Sequence, residues 1–97
     1  MSCQVILEFQ AKPDCVEKVR DWLKGALPDT RAFDGCMTLH VVQNQEDPTG
    51  IVVIEQWETR LQYEKYLAWR TERGDMDTFG AMMAGAPNIR FFDYFRV

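Results

Sequence analysis

The stretch EQWETRLQYEKYLAWR, residues 55–70, joins the end of an alternating strand to a helix. Thr59 is a residue type that caps helix N-termini, and the helix that it opens should continue to about Arg73, where Gly74 stops it. Two tryptophans, two tyrosines and two arginines fall within these sixteen residues. The stretch therefore predicts a strand-to-helix junction that gathers aromatic rings, which either fill a core or line a pocket.

Four segments of the chain alternate in hydrophobicity with a period of two, which is typical of half-buried strands. They cover residues 3–11, 36–44, 51–57 and 89–97. Residues 47–50, DPTG, supply the proline and glycine of a tight connection, so the second and third strands should pair as an antiparallel hairpin.

Helices are predicted in the remaining segments. Apolar residues recur at helical spacing from residue 16 to residue 27, and Pro28 should close that helix. A shorter helical piece should cover residues 75–83, after the helix that Thr59 opens. The order is β-α-β-β-α-β, so we predict one ferredoxin-like α+β domain over residues 1–97, with an antiparallel sheet and helices on one face.

The second face of this sheet also carries apolar side chains. Ile6, Val42, Phe92 and Tyr94 fall on it, while two helices can cover only the other face. A large apolar patch exposed to water usually marks an interface. We therefore expect a second copy of the chain to cover this face and to form a two-fold homodimer.

Composition argues against several partners. The formal net charge is −4, and the 11 Lys and Arg are scattered among 15 Asp and Glu, so nucleic acid is not an expected partner. The N-terminal sequence lacks a signal-peptide pattern, and no segment approaches the ~18 apolar residues of a membrane helix. The three cysteines show no CxxC spacing, which predicts buried thiols rather than a disulfide framework or a zinc site. A cytoplasmic location fits these features best.

The order of elements, the FDGC of residues 33–36, the Glu-x-Trp of residues 55–57 and the tyrosine-rich helix after it together resemble the antibiotic biosynthesis monooxygenase family over nearly the whole chain. The resemblance implies a dimeric α+β barrel in which two sheets pack face to face. The family includes cofactor-free oxygenases that convert polycyclic phenols to quinones, quinol monooxygenases and haem-degrading enzymes. Its activities differ, so the activity has to be argued residue by residue.

The haem-degrading branch fits this chain poorly. That branch has an Asn in the first strand, a Trp in the second helix and a later His that holds iron. This chain has Ile6 and Tyr66 at the first two positions and no histidine after His40. Haem iron needs a proximal ligand, so the resemblance disfavours haem, and we expect no haem, flavin or metal.

The quinone-forming branch agrees better. Its Asn, Trp and Tyr correspond to Val53, Trp57 and Tyr63, so two of the three positions match. In that branch the Asn is thought to orient the phenolic oxygen of the substrate. The later Arg of the branch falls near Asp77, which leaves the arginine at position 70 or 73 as a substitute.

Oxidation without a cofactor places demands on the site. Dioxygen reacts slowly with closed-shell molecules because spin must change, so the protein would have to deprotonate an electron-rich phenol or quinol. A base with a pKa near neutrality, donors for the anion and aromatic walls are then needed. Histidine is the residue type that ordinarily titrates near neutrality, and His40 is the one histidine of the chain. The quinone-forming branch has a His two positions from it on the same strand face. The alternative for His40 is a structural polar residue.

The aromatic helix supplies the other candidates. Trp57 and Tyr63 are predicted as catalytic-site rings, and Tyr66 and Arg70 as substrate-binding residues on the same helix stripe. Packing against the sheet is the alternative for the rings, and Glu55 or a ligand could pair with Arg70.

Two functions remain open at this point. The first is a cofactor-independent monooxygenase that oxidises a quinol or a polyphenol. The second is a non-catalytic dimeric module that binds a small aromatic ligand.

Overall fold

The elements of the chain follow in the predicted order. A computed structural model describes residues 2–97. The elements are β1 (Cys3–Gln10), α1 (Val16–Ala32), β2 (Cys36–Gln43), β3 (Gly50–Trp57), α2 (Arg60–Glu72), α3 (Asp75–Gly80) and β4 (Asn88–Phe92). The strands form one antiparallel sheet in the order β2-β3-β1-β4. The prediction of a ferredoxin-like α+β fold is confirmed.

Side chains alternate between the two faces of this sheet. Val5, Phe9, Val53 and Trp57 are buried on the face that α1 and α2 cover. The opposite face is open in the single chain, and there Phe92 is 44% exposed. The helices therefore lie on one face, as predicted. The prediction that a second copy covers the open face stays a prediction.

The strand β2 departs from strict alternation at its start. Cys36 pairs with Trp57 and Thr38 pairs with Gln56, so Met37 is an extra residue in this strand. Because a bulge inserts one extra residue, the residues before it point to the opposite sheet face from the one that strict alternation predicts. Strict alternation would place Met37 on the same face as Leu39, but the bulge gives that position to Cys36 and leaves Met37 exposed.

The helix α1 continues to Ala32, so the prediction that Pro28 closes it is wrong. Proline removes one backbone hydrogen bond and usually interrupts a helix. Here Arg70 of another helix contacts α1 on both sides of Pro28. Nη2 of Arg70 donates to the carbonyl oxygen of Ala26 at 2.7 Å and to Oγ1 of Thr30 at 3.0 Å.

Two predicted elements are shorter than expected. The helical piece ends at Gly80 rather than at residue 83, and β4 ends at Phe92 rather than at residue 97. Phe92 pairs with Gln4, near the start of β1, so almost no strand remains to pair with residues 93–97. The left-handed φ of 61° at Arg96 is also incompatible with an extended strand.

The FDGC segment forms the tight turn into β2. Gly35 has a φ of 96°, which favours glycine, and a Cβ at this position would lie 2.5 Å from Cδ of Gln62 on α2. The carbonyl oxygen of Gly35 accepts a hydrogen bond from the backbone N–H of Glu58 at 2.8 Å. The turn therefore packs directly against the junction between β3 and α2. Among residues 2–97, no helix is long and apolar enough to span a membrane.

Candidate functional site

A small cavity lies between the covered face of the sheet and the three helices. Its volume is about 70 Å³. The cavity walls include aromatic and methionine side chains from all three helical segments and from the turn after α3, namely Trp22, Tyr63, Tyr66, Met76, Phe79 and Met83. Glu55 is the one carboxyl group among its lining residues.

Glu55 lies in the middle of the sheet on the covered face. It pairs with Val5 on one side and with Leu39 on the other, and it is 3% exposed. Nε1 of Trp57 donates a hydrogen bond to Oε1 of Glu55 at 3.0 Å. Within residues 2–97 this is the only side-chain hydrogen bond to the carboxyl group. A nearly buried carboxyl therefore lines the cavity without a cation as its partner.

The surroundings of Glu55 change its acidity. Burial disfavours the ionised form, and this effect outweighs the hydrogen bond from Trp57, so the pKa of Glu55 rises from 4.5 to about 7. A group with this pKa exchanges its proton readily at neutral pH. It can therefore take a proton from a hydroxyl group bound in the cavity.

Tyr63 is the second polar group that lines the cavity. It lies on α2, is almost fully buried, and packs edge-on against Trp57 with ring centroids 5.7 Å apart. No group of residues 2–97 hydrogen-bonds to its hydroxyl. Burial and the nearby carboxyl of Glu55 raise the pKa of Tyr63 well above its usual value, so the hydroxyl stays protonated. It can donate a hydrogen bond to an anion but cannot serve as a base at neutral pH.

Tyr66 contributes its ring to the cavity and its hydroxyl to a separate cluster. The ring lies 5.3 Å from that of Trp57, between centroids. The hydroxyl lies 2.8 Å from Oγ1 of Thr30 and accepts a hydrogen bond from Nε of Arg70 at 3.0 Å. The hydroxyl of Tyr66 is therefore engaged with α1 and with its own helix rather than directed at a ligand.

Arg70 is the centre of that cluster. It is 2% exposed, and its Nη1 donates to Oδ2 of Asp75 at 2.9 Å. The suggestion that Glu55 pairs with it is therefore wrong, because Asp75 at the start of α3 takes that role. Arg70 does not line the cavity, and its donors join α1, α2 and α3. These contacts do not test its predicted role in substrate binding, but they show that Arg70 links the three helices.

His40 lies apart from the other predicted site residues. It is an exposed residue of β2, paired across the sheet with Ile54, while its neighbours Leu39 and Val41 face the helices. Strand parity therefore places His40 on the open face, opposite Trp57 and Tyr63. The structure brings these two rings together with Glu55 and Tyr66, and it does not bring His40 to them.

Sequence reasoning missed Glu55 as a candidate base. A signal was present, because Glu55 stands between Val53 and Trp57 at the parity that faces the core. An acidic residue at such a position is rarely buried without a specific reason. Among residues 2–97, no cluster of three or more His, Cys, Asp or Glu side chains could hold a metal ion.

Comparisons with known proteins agree with this architecture. The sequence model of the antibiotic biosynthesis monooxygenase family matches residues 3–79. Rv0793 from Mycobacterium tuberculosis has a similar structure, with 18% identity, a TM-score of 0.87, and coverage of 100% of this chain and 98% of that chain. A conserved protein from Methanosarcina mazei Go1 has 17% identity, a TM-score of 0.86, and coverage of 95% and 91%.

A third solved structure, described as an antibiotic biosynthesis monooxygenase, has 21% identity to this chain, a TM-score of 0.85, and coverage of 95% and 97%. At these identities the three structures show a shared fold. A search among curated proteins gave no match.

Proposed function

The chain belongs to the antibiotic biosynthesis monooxygenase family, and we propose that it oxidises a small quinol or polyphenol with dioxygen and without a cofactor. The observation that carries this proposal is the buried carboxyl of Glu55, with a pKa of about 7, on the wall of an aromatic cavity. A base of this strength is what the deprotonation of a phenolic hydroxyl at neutral pH requires.

The proposed reaction begins with proton transfer. Glu55 takes the proton of a substrate hydroxyl, and the hydroxyl of Tyr63 donates a hydrogen bond to the resulting phenolate. The electron-rich anion then reacts with dioxygen. One oxygen atom forms a bond to a ring carbon, and the other leaves as water with the hydrogens of that carbon and of the hydroxyl. The substrate supplies the electrons, so the reaction needs no separate reductant.

Trp57 has two roles in this proposal. Its ring packs against the rings of Tyr63 and Tyr66, which line the cavity, and its N–H donates a hydrogen bond to one carboxyl oxygen of Glu55. The other carboxyl oxygen is thereby left for the substrate. Tyr66 completes the wall, and Arg70 holds Tyr66 in place through its hydroxyl. We therefore assign Arg70 a supporting role instead of direct contact with the substrate anion.

The size of the cavity favours a single-ring substrate and leaves a second function open. A cavity of about 150 Å³ is known to hold benzene, and the cavity beside Glu55 measures about 70 Å³. A ring can enter only if the wall moves, and the short helix α3 with its flexible Met76 is the part best suited to move. If an aromatic ring binds there and is not oxidised, a non-catalytic dimeric module that binds a small aromatic ligand is the better account.

Oxygen consumption by the purified protein tests the proposal. A panel of one-ring and two-ring quinols is supplied, and oxygen uptake above the protein-free rate is recorded. We expect uptake with at least one quinol, and Glu55→Gln should lower it about 10²–10⁴-fold because the base is lost. Glu58→Gln, at an exposed position beyond the end of β3, is the matched control and should keep the native rate. His40→Ala should also keep it, because His40 lies on the other face.

The second copy predicted from the sequence forms part of the proposal. The open face carries Ile6, Ile54 and the exposed side chains of Val42 and Phe92. A copy of the chain related by a two-fold axis would bury these residues against each other. Sedimentation should give twice the mass of one chain, and Val42→Glu should shift the protein toward the mass of one chain. A native protein that sediments as a single chain would contradict the dimer.

A further inference from the structure

A larger concavity runs along the outer side of α1, between that helix and the edge strand β2. It is an open groove of about 530 Å³. This volume lies within the roughly 300–1,000 Å³ of typical small-molecule sites, which the cavity beside Glu55 does not reach. Leu23 and Leu27 line both spaces and form the wall between them. The groove is therefore a separate site, outside the proposed oxidation chemistry.

The floor and the rim of the groove differ in chemistry. The floor is apolar, with Val16, Val19, Val41 and Ile51 beside the two leucines. The rim carries three cations of α1 at helical spacing, Arg20, Lys24 and Arg31, and no aspartate or glutamate lines the groove. The chain as a whole has 15 acidic and 11 basic residues, so the charge of this groove is opposite in sign to the net charge of the chain.

Two of these cations are available to a ligand. Arg20 pairs with Glu17 at 2.7 Å in an exposed ion pair. Lys24 and Arg31 take part in none of the five ion pairs among residues 2–97. Nη2 of Arg31 donates to the carbonyl oxygen of Leu39 at 3.3 Å, which leaves its other donors free. An anion held near Lys24 and Arg31 would gain charge-assisted hydrogen bonds.

The shape and contacts of the groove decide between possible occupants. The lining residues of α1 extend from Val16 to Arg31, which corresponds to about 22 Å of helix. A long, narrow ligand fits this length. An added peptide strand would need the outward backbone groups of β2, but Arg31 already occupies the carbonyl oxygen of Leu39. The observations therefore favour a small amphipathic molecule over a peptide.

We propose that this groove binds a linear aliphatic monocarboxylate. Its chain would lie on the valine and leucine floor, and its carboxylate would lie between Lys24 and Arg31. The binding site is independent of the proposed oxygenase activity, because it uses neither Glu55 nor the cavity beside it.

A titration with decanoate, monitored through the amide signals in NMR spectra, tests this site without any quinol. We expect chemical-shift changes along residues 16–31 of α1 and residues 40–43 of β2. Lys24→Glu with Arg31→Glu should weaken binding at least about tenfold, because two attractive charges become repulsive. Lys24→Glu alone, at an exposed position without an ion pair, should weaken it several-fold while leaving the melting temperature unchanged.

Two controls separate the effect of the ligand's charge from the effect of its alkyl chain. Lys18→Glu makes the same charge change on α1 away from the groove and should leave the affinity for decanoate unchanged. Decyltrimethylammonium, which has the same chain and the opposite charge, should bind more weakly to the native protein. Equal binding of both ligands, or shifts confined to the open sheet face, would overturn the proposal. It would also fail if decanoate does not bind. If the double variant in addition loses half its sedimenting mass, the groove holds a second copy instead.

Discussion

The pKa of Glu55 makes a quantitative prediction about stability. The pKa rises from 4.5 to about 7 on folding, so the folded state keeps its proton over a pH range in which the unfolded state has lost it. Stability from this group is fully present below about pH 4.5 and is lost as pH rises through about 7. Each pKa unit corresponds to about 1.4 kcal/mol, so the full loss is about 3 kcal/mol.

Glu55→Gln isolates this contribution, because the amide has the same shape and does not titrate. Urea denaturation of both proteins at several pH values gives the difference in the free energy of unfolding. Relative to the variant, the native protein should lose about 2–3 kcal/mol between about pH 5 and about pH 8. Any constant cost of the amide in this pocket does not depend on pH and cancels.

The comparison also removes the effects of other carboxyl groups. Hydrogen bonds hold the pKa of Asp47 and the pKa of Asp75 below their usual range. Protonation of these two groups at low pH therefore lowers the free energy of unfolding of the native protein and of the variant alike. Glu58→Gln, at an exposed position, should give a difference that is flat with pH. If the difference for Glu55→Gln is equally flat, Glu55 ionises normally in the folded protein and is not the proposed base.

Three further substitutions test other parts of the structure. Trp57→Phe removes the donor to Glu55 and should raise the pKa of that carboxyl by about one to two units, visible as a shift of the pH-rate profile to higher pH. Gly35→Ala places a side chain at a left-handed φ and against α2, and should lower the free energy of unfolding in urea by about 1–3 kcal/mol. Arg70→Ala removes the hydrogen bonds that join α1, α2 and α3, while Asp75 keeps Arg73 as a partner, and should cost about 2–4 kcal/mol in the same measurement. A loss below about 1 kcal/mol in either stability test would contradict the packing described for it, and an unshifted profile would contradict the role of Trp57.

Most of the fold could be predicted from local patterns. The period-two strands and the helical stripes fix the element order, and the ferredoxin-like arrangement follows from that order. The errors arose where tertiary contacts override local preference. α1 passes Pro28, with Arg70 bound to residues on both sides of the proline, and β4 stops at Phe92 because β1 offers it almost no further partner.

The contacts among the candidate site residues could be predicted only in part, for a related reason. Trp57 and Tyr63 are in contact because one ends a strand and the other lies in the first turn of the following helix, which the sequence makes visible. The parity of β2 already separates His40 from the helix-covered face, since Leu39 and Val41 are the apolar residues beside it. The pairing of Arg70 with Asp75 could not be predicted, because it depends on the direction that α3 takes after the turn at residue 74.

Labelled oxygen tests the central claim most directly. The native protein, treated with a metal chelator, is incubated with a quinol that it accepts under ¹⁸O₂, and the mass of the quinone product is measured beside that from Glu55→Gln. The account predicts one ¹⁸O atom in the product of the native protein and a rate about 10²–10⁴-fold lower for the variant. A product without ¹⁸O, or a variant as fast as the native protein, would contradict it.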